Sequence, residues 1–130
     1  LKHTIWFLPD VSSCYAMKNL LQQEQNDFFN KNYKIILMAG NNAGVGVKAF
    51  QNHKEQLGNQ HKTKTITLTC GKLMTGVTVP AWSGIFMLTN TESPEKYFQA
   101  AFRVQNPNKI IEKDRYSRDG KTKKILKKEC

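Results

Sequence analysis

A chain of 130 residues with 39% hydrophobic and 10% aromatic content is expected to form one globular domain, too rich in core-forming side chains for disorder and too short for a second core. Twenty Lys and Arg against ten Asp and Glu give a net charge of +10, which favours a polyanionic partner. Three scattered cysteines, Cys14, Cys70 and Cys130, exclude a disulfide framework and any C-x-x-C zinc or redox motif, fit a reducing cytoplasmic compartment, and accompany no apolar run near the ~18 residues of a membrane span.

In chain order, Thr4-Ile5-Trp6-Phe7-Leu8 reads as a strand closed by Pro9-Asp10. Ser12 or Ser13 is the expected cap of the next helix, in which Cys14, Met17, Leu20, Leu21 and Glu24 keep 3.6-residue spacing and which fades near residues 26–30. A second strand, residues 33–39, breaks at Gly40-Asn41-Asn42, and Val47, Phe50 and Leu57 mark one face of a helix ending at Gly58. Residues 65–69 and 85–88 are the third and fourth strands. Ser93-Pro94-Glu95 then begins a helix by rule, with Ser as N-cap, Pro at the first position and a carboxylate at the positive end of the dipole, and Asn106-Pro107 stops it. Ile110-Ile111 and Ile125-Leu126 flank Ser117-Arg118-Asp119-Gly120, a hairpin signal.

Short apolar runs alternating with helical patterns predict an α/β fold with a mostly parallel sheet flanked by helices. Residues 109–130 form a basic hairpin or tail, with nine basic and four acidic residues, on a body of residues 1–108. The chain lacks an initiator Met, as expected of a piece of something longer.

Few clusters carry chemistry. Gly40 to Lys48 is Gly-rich and follows a strand, but Val47 separates Gly46 from Lys48, so the spacing G-x-x-x-x-G-K-[ST] fails and a plain connection is expected. His3, His53 and His61 have neither metal-ligand spacing nor a nucleophile nearby. Asp10 with Asp119-Gly120-Lys121 imitates a metal-dependent nuclease pattern only loosely. Trp6, Phe98 and Phe102 are expected in the core, whereas Trp82, in a loop, stays open to base stacking.

Two stretches stand out. Thr75-Gly76 makes a turn after the strand of residues 65–70, where backbone N–H groups can meet a phosphate; Gln99 and Arg103, four apart, fall on one helical face. Both follow strands of one parallel sheet, where ligands gather at the carboxyl ends.

Residues 70–80, Cys-Gly-Lys-Leu-Met-Thr-Gly-Val-Thr-Val-Pro, and 97–105, Tyr-Phe-Gln-Ala-Ala-Phe-Arg-Val-Gln, resemble motifs V and VI of superfamily 2 helicases and translocases, with the flavour of restriction-enzyme motor subunits and related phage or plasmid helicases. Trp6-Phe7-Leu8-Pro9 with its following helix is similar to the motif IV region. The resemblance implies the second RecA-like motor domain, a three-layer fold here short of its last strand, of an ATP-dependent DNA helicase or translocase. A first RecA-like domain of the same polypeptide would then hold ATP and Mg2+, and nuclease or methyltransferase modules would be attached. By the same resemblance Arg103 is the arginine finger, Gln99 orients the γ-phosphate, Gly76 and Thr78 lie at the nucleotide, and Cys70, Gly71, Thr75 and Gly76 meet the DNA backbone. Thr78 stands where the family commonly has an acid, Asn106 where it has a second arginine and Phe102 where it has Gly. Without a P-loop, these residues alone are expected not to hydrolyse ATP. A non-enzymatic basic α/β module that holds nucleic acid is the competing class, and a nuclease domain a third.

Overall fold

The computed structural model describes residues 2–40, 55, 57, 62–70, 79–90, 92–106, 109–113 and 122–126, of the last two stretches the backbone alone. Strand β1 (His3–Leu8) leads through helix α1 (Val11–Leu21), a 3-10 turn at Glu24–Asn26 and helix α2 (Asp27–Asn32) to β2 (Lys34–Met38). Strands β3 (Thr65–Cys70) and β4 (Gly84–Met87) follow, then helix α3 (Pro94–Ala101) and the antiparallel pair β5 (Lys109–Lys113) and β6 (Thr122–Leu126). The four central strands form one parallel sheet in the order β2-β3-β1-β4, with His3 and Lys34 both opposite Thr65 and Leu8 opposite Cys70.

The alternation of side chains along the strands sorts the core into two layers. On one face Leu8, Cys14, Leu21, Ile66, Leu68 and Cys70 pack together beneath α1. On the other, Ile5, Phe7, Ile36 and Met38 pack against Leu57, Val79, Ala81, Trp82, Ala100 and Val104. This is the expected α/β arrangement, a parallel sheet with helices on both faces, consistent with a RecA-like three-layer fold. The distribution of connections follows from handedness: the step from β1 to β2 and the step from β2 to β3 run in opposite lateral directions, so right-handed crossovers must place them on opposite faces. The first indeed carries α1 on one layer, and the second carries Leu57, a helical residue, on the other.

Several local expectations change. The α1 cap is Asp10, whose carboxylate accepts from the Ser13 N–H at 2.7 Å, because the chain turns at Pro9-Asp10 one residue before the serines. The helix ends at Leu21, and the 3-10 turn and α2 take the place of a single fading helix; Leu20 is 46% exposed, so the stripe reduces to Cys14 and Leu21 with half-buried Met17. Helix α3 keeps its predicted start, with the Ser93 hydroxyl as cap and Pro94 at the first position, but closes at Phe102 rather than running to Asn106. The helix proposed around Val47 and Phe50 lies outside the described residues except at Glu55 and Leu57, which are helical.

Candidate functional site

Strands β1 and β3 are neighbours whose outgoing chains leave in opposite directions, toward β2 and toward β4. In an open parallel sheet such a reversal leaves a crevice at the carboxyl ends, the position where ligands of these folds bind. Here it is bordered by Leu8-Pro9-Asp10 from β1 and Cys70 from β3. Asp10 is held below the usual carboxylate range by the backbone N–H of Ser13 and, next, by its hydroxyl, so the cap is ionised at neutral pH.

Under the cap, Cys14 lies one turn into α1 and bonds back through its N–H to the Asp10 carbonyl. Its thiol hydrogen-bonds with that of Cys70, and burial, followed by the neighbouring Cys70, pushes it up to about 12. Both cysteines are free thiols and both are buried, and Cys14 stays a neutral thiol rather than a nucleophilic thiolate.

On the opposite face the central strand presents three threonines, Thr65, Thr67 and Thr69, all essentially inaccessible. Thr65 bonds through its hydroxyl to His3 Nδ1 at 3.0 Å across the β1–β3 boundary, and the Thr69 hydroxyl, at the carboxyl end, is buried with no hydrogen-bond partner among the described residues. Arg103 immediately precedes Val104, which packs in this layer. The arginine is 7% exposed, just past the end of α3, and burial lowers its pKa from the ordinary arginine value.

Gln99 stands apart from it. Its side chain is exposed on α3 and donates to the Glu95 carboxylate at 3.0 Å, one turn back. The four-residue spacing that would align Gln99 with Arg103 holds only inside a helix, and the helix ends between them. Cys70 closes β3 at the crevice, while Gly71, Thr75, Gly76 and Thr78 lie outside the described residues.

The aromatic expectations hold for Trp6, half-buried against the core on the α1 side, and reverse for the other three. Trp82 is 1% exposed and belongs to the core, while Phe98 and Phe102, expected inside, are 55% and 60% exposed and stack on each other with centroids 6.3 Å apart. Because the helix turns Ala100 and Val104 toward the sheet, the two phenyl rings fall on its outer side. Among the described residues no group of three or more His, Cys, Asp or Glu could hold a metal, and no helix is long and apolar enough to cross a membrane.

Over 108 residues, 82% of its length, the chain is 38% identical to a candidate type II restriction enzyme and methyltransferase, C-terminal part, from Mycoplasma pneumoniae. The similarity ties it to restriction–modification proteins. The chain spans 15% of the length of that relative. No family model and no solved structure matches.

Sequence reasoning missed the contact between Cys14 and Cys70 and the capping role of Asp10. The first has no signal in a separation of 56 positions; the second was visible in Pro9-Asp10, since Asp ranks with Ser as a cap.

Proposed function

We propose that this chain is part of the second motor domain of an ATP-dependent DNA translocase or helicase in a restriction–modification system. The observation that carries this proposal is a four-stranded parallel sheet whose strand order reverses beside Cys70, the residue that opens the stretch resembling motif V, in a chain similar to a restriction–modification protein. In this scheme ATP and Mg2+ are held mainly by a first motor domain of the same polypeptide. Arg103, with its guanidinium in a poorly solvated setting, supplies fixed positive charge to the transferring phosphoryl group when the two domains close. Gln99 assists at the γ-phosphate, Gly76 and Thr78 lie beside the nucleotide, and Cys70, Gly71, Thr75 and Gly76 support contact with the DNA backbone.

Removal of the finger tests it. In the whole polypeptide, Arg103→Ala should reduce DNA-stimulated ATP hydrolysis by roughly 10³-fold or more, and Arg103→Lys, which keeps the charge but not the planar fork, should fail to restore it. Undiminished ATPase activity in both variants, with DNA binding intact, would sink the assignment.

A non-enzymatic nucleic-acid-binding module is the second proposal, favoured by the burial of Arg103 and by the engagement of Gln99 with Glu95 rather than toward the crevice. It requires binding of oligonucleotides without any dependence on ATP.

A further inference from the structure

The opposite, amino-terminal rim of the sheet carries charge that the proposed motor role does not use. Residues 1–8, 25–40 and 62–70 contain five lysines, Lys2, Lys31, Lys34, Lys62 and Lys64, and one acid, Asp27, which is paired with Lys31. The fold gathers these stretches at one edge. Lys2 immediately precedes β1, Lys64 immediately precedes β3 and Lys34 opens β2. Their backbones are joined in sequence across the sheet: the Lys34 N–H donates to the Lys64 carbonyl and the Thr65 N–H to the Lys2 carbonyl, each at 2.8 Å.

The pleat fixes which way they point. Lys64 is one residue before Thr65 and Lys2 one before His3, and His3 and Thr65 are register partners, so Lys2 and Lys64 stand side by side on neighbouring strands about 4.8 Å apart. Alternation along β1 and β3 puts both on the α1 face, with Trp6 and Ile66. Tyr33, one residue before β2, extends the row: the Lys64 ammonium lies over its ring at 5.9 Å. Beside it Phe28, on α2, is 65% exposed and touches both Phe29 and Tyr33 edge-on or tilted at 5.5 and 6.3 Å. All five lysines are exposed.

Two neighbouring ammonium groups on one face, flanked by an outward-facing ring, suit a single nucleic-acid strand, since phosphates meet the charges and a base can stack on the ring without regard to sequence. Lys34 shares the rim but, by the same alternation, lies on the other face with Ile36 and Met38. We propose that this rim, centred on Lys2, Lys64 and Phe28, is a contact for the backbone and bases of single-stranded nucleic acid. It lies a strand length, about 20 Å, from the carboxyl-end crevice and is a separate surface from it. A strand gripped here is held whether or not nucleotide is present.

The test is fluorescence anisotropy of a labelled single-stranded oligodeoxynucleotide of about 15 nucleotides, titrated with the 130-residue chain at several salt concentrations and without ATP. Lys2→Glu with Lys64→Glu should weaken binding about ten-fold or more, and Lys2→Gln with Lys64→Gln should lower the salt slope by about 1.4, from two phosphate contacts at about 0.7 each. Phe28→Ala should weaken binding about five-fold or more and leave the slope unchanged. The same charge reversal at Lys96, on α3, should have a much smaller effect. Far-UV circular dichroism confirms that each variant is folded.

Unchanged affinity and slope in folded rim variants would overturn the proposal. So would an equal loss from Lys96→Glu, because net charge alone would then explain binding, or a loss of binding to phosphatidylserine vesicles with oligonucleotide binding retained. None of these readouts involves ATP, so failure of the motor assignment and failure of the rim contact are separately visible.

Discussion

At Cys14 a thiol is held in its neutral form by removal from water and by a second thiol, Cys70, at hydrogen-bonding range. Its value rises from the ordinary 9.0 to about 12 on folding, so the native state binds the proton more tightly than the unfolded chain does. The stability this supplies is complete below about pH 9 and is lost as pH rises toward 12. Urea midpoints of the native chain and of Cys14→Ala, taken near pH 8 and again between pH 10 and 11, should show a steeper alkaline decline in the native chain, because the alanine variant has no thiol to ionise. Equal declines would remove Cys14 from the alkaline response. None of this was legible in the sequence, where Cys14 and Cys70 are simply two apolar-looking positions in a helix and a strand. Arg103 was legible as an unusual residue in its pattern, but its burial was not, because that depends on where α3 stops.

Helix α3 shows how far a pattern carries and where it fails. Its start was written in Ser93-Pro94-Glu95, since the cap, the missing proline N–H and the dipole all act locally. Its inner face was not, because Tyr97, Phe98 and Phe102 outweigh Ala100 and Val104 in hydrophobicity, yet the small side chains are the ones that allow close approach to the sheet. Hydrophobic weight was therefore the wrong guide and side-chain volume the right one. Phe102→Ser should change unfolding free energy by no more than about 0.5 kcal/mol, as for other surface positions, whereas Trp82→Ala, at a fully enclosed ring, should cost about 3–5 kcal/mol. Chemical denaturation of both variants compares them directly, and a large loss at Phe102 would place that ring against a surface formed outside the described residues. The strands were found to within a residue or two because apolar runs bounded by Pro9-Asp10, Gly40 and Lys62 have few other readings.

For the whole molecule, the class of fold was legible and the strand order was not. Alternating strands and helices imply a parallel sheet, but the order β2-β3-β1-β4 depends on pairings 31 and 62 positions apart, Lys34 with Thr65 and His3 with Thr65, which no local spacing encodes. Net charge pointed to a polyanion, while the gathering of Lys2, Lys34 and Lys64 at one rim needed the register to be known. Because β3 lies between β1 and β2, a single proline in it should be felt across the sheet: Thr67→Pro removes a donor from the central strand and should abolish cooperative unfolding. A retained sigmoidal thermal transition in that variant would show that the two halves of the sheet can stand without their shared neighbour.

That central placement also sets an order of assembly during synthesis. The first two strands of this sheet to be made are not each other's neighbours; the slot between them is filled only by residues 65–70. Until residues 65–70 have been made, both must wait with unsatisfied edges, and closing a loop of about sixty residues then zips two ladders at once. The growing polypeptide therefore passes through a long sticky interval followed by one abrupt locking event, a schedule in which a holdase that shields nascent strands would raise yield more than any catalyst of later steps.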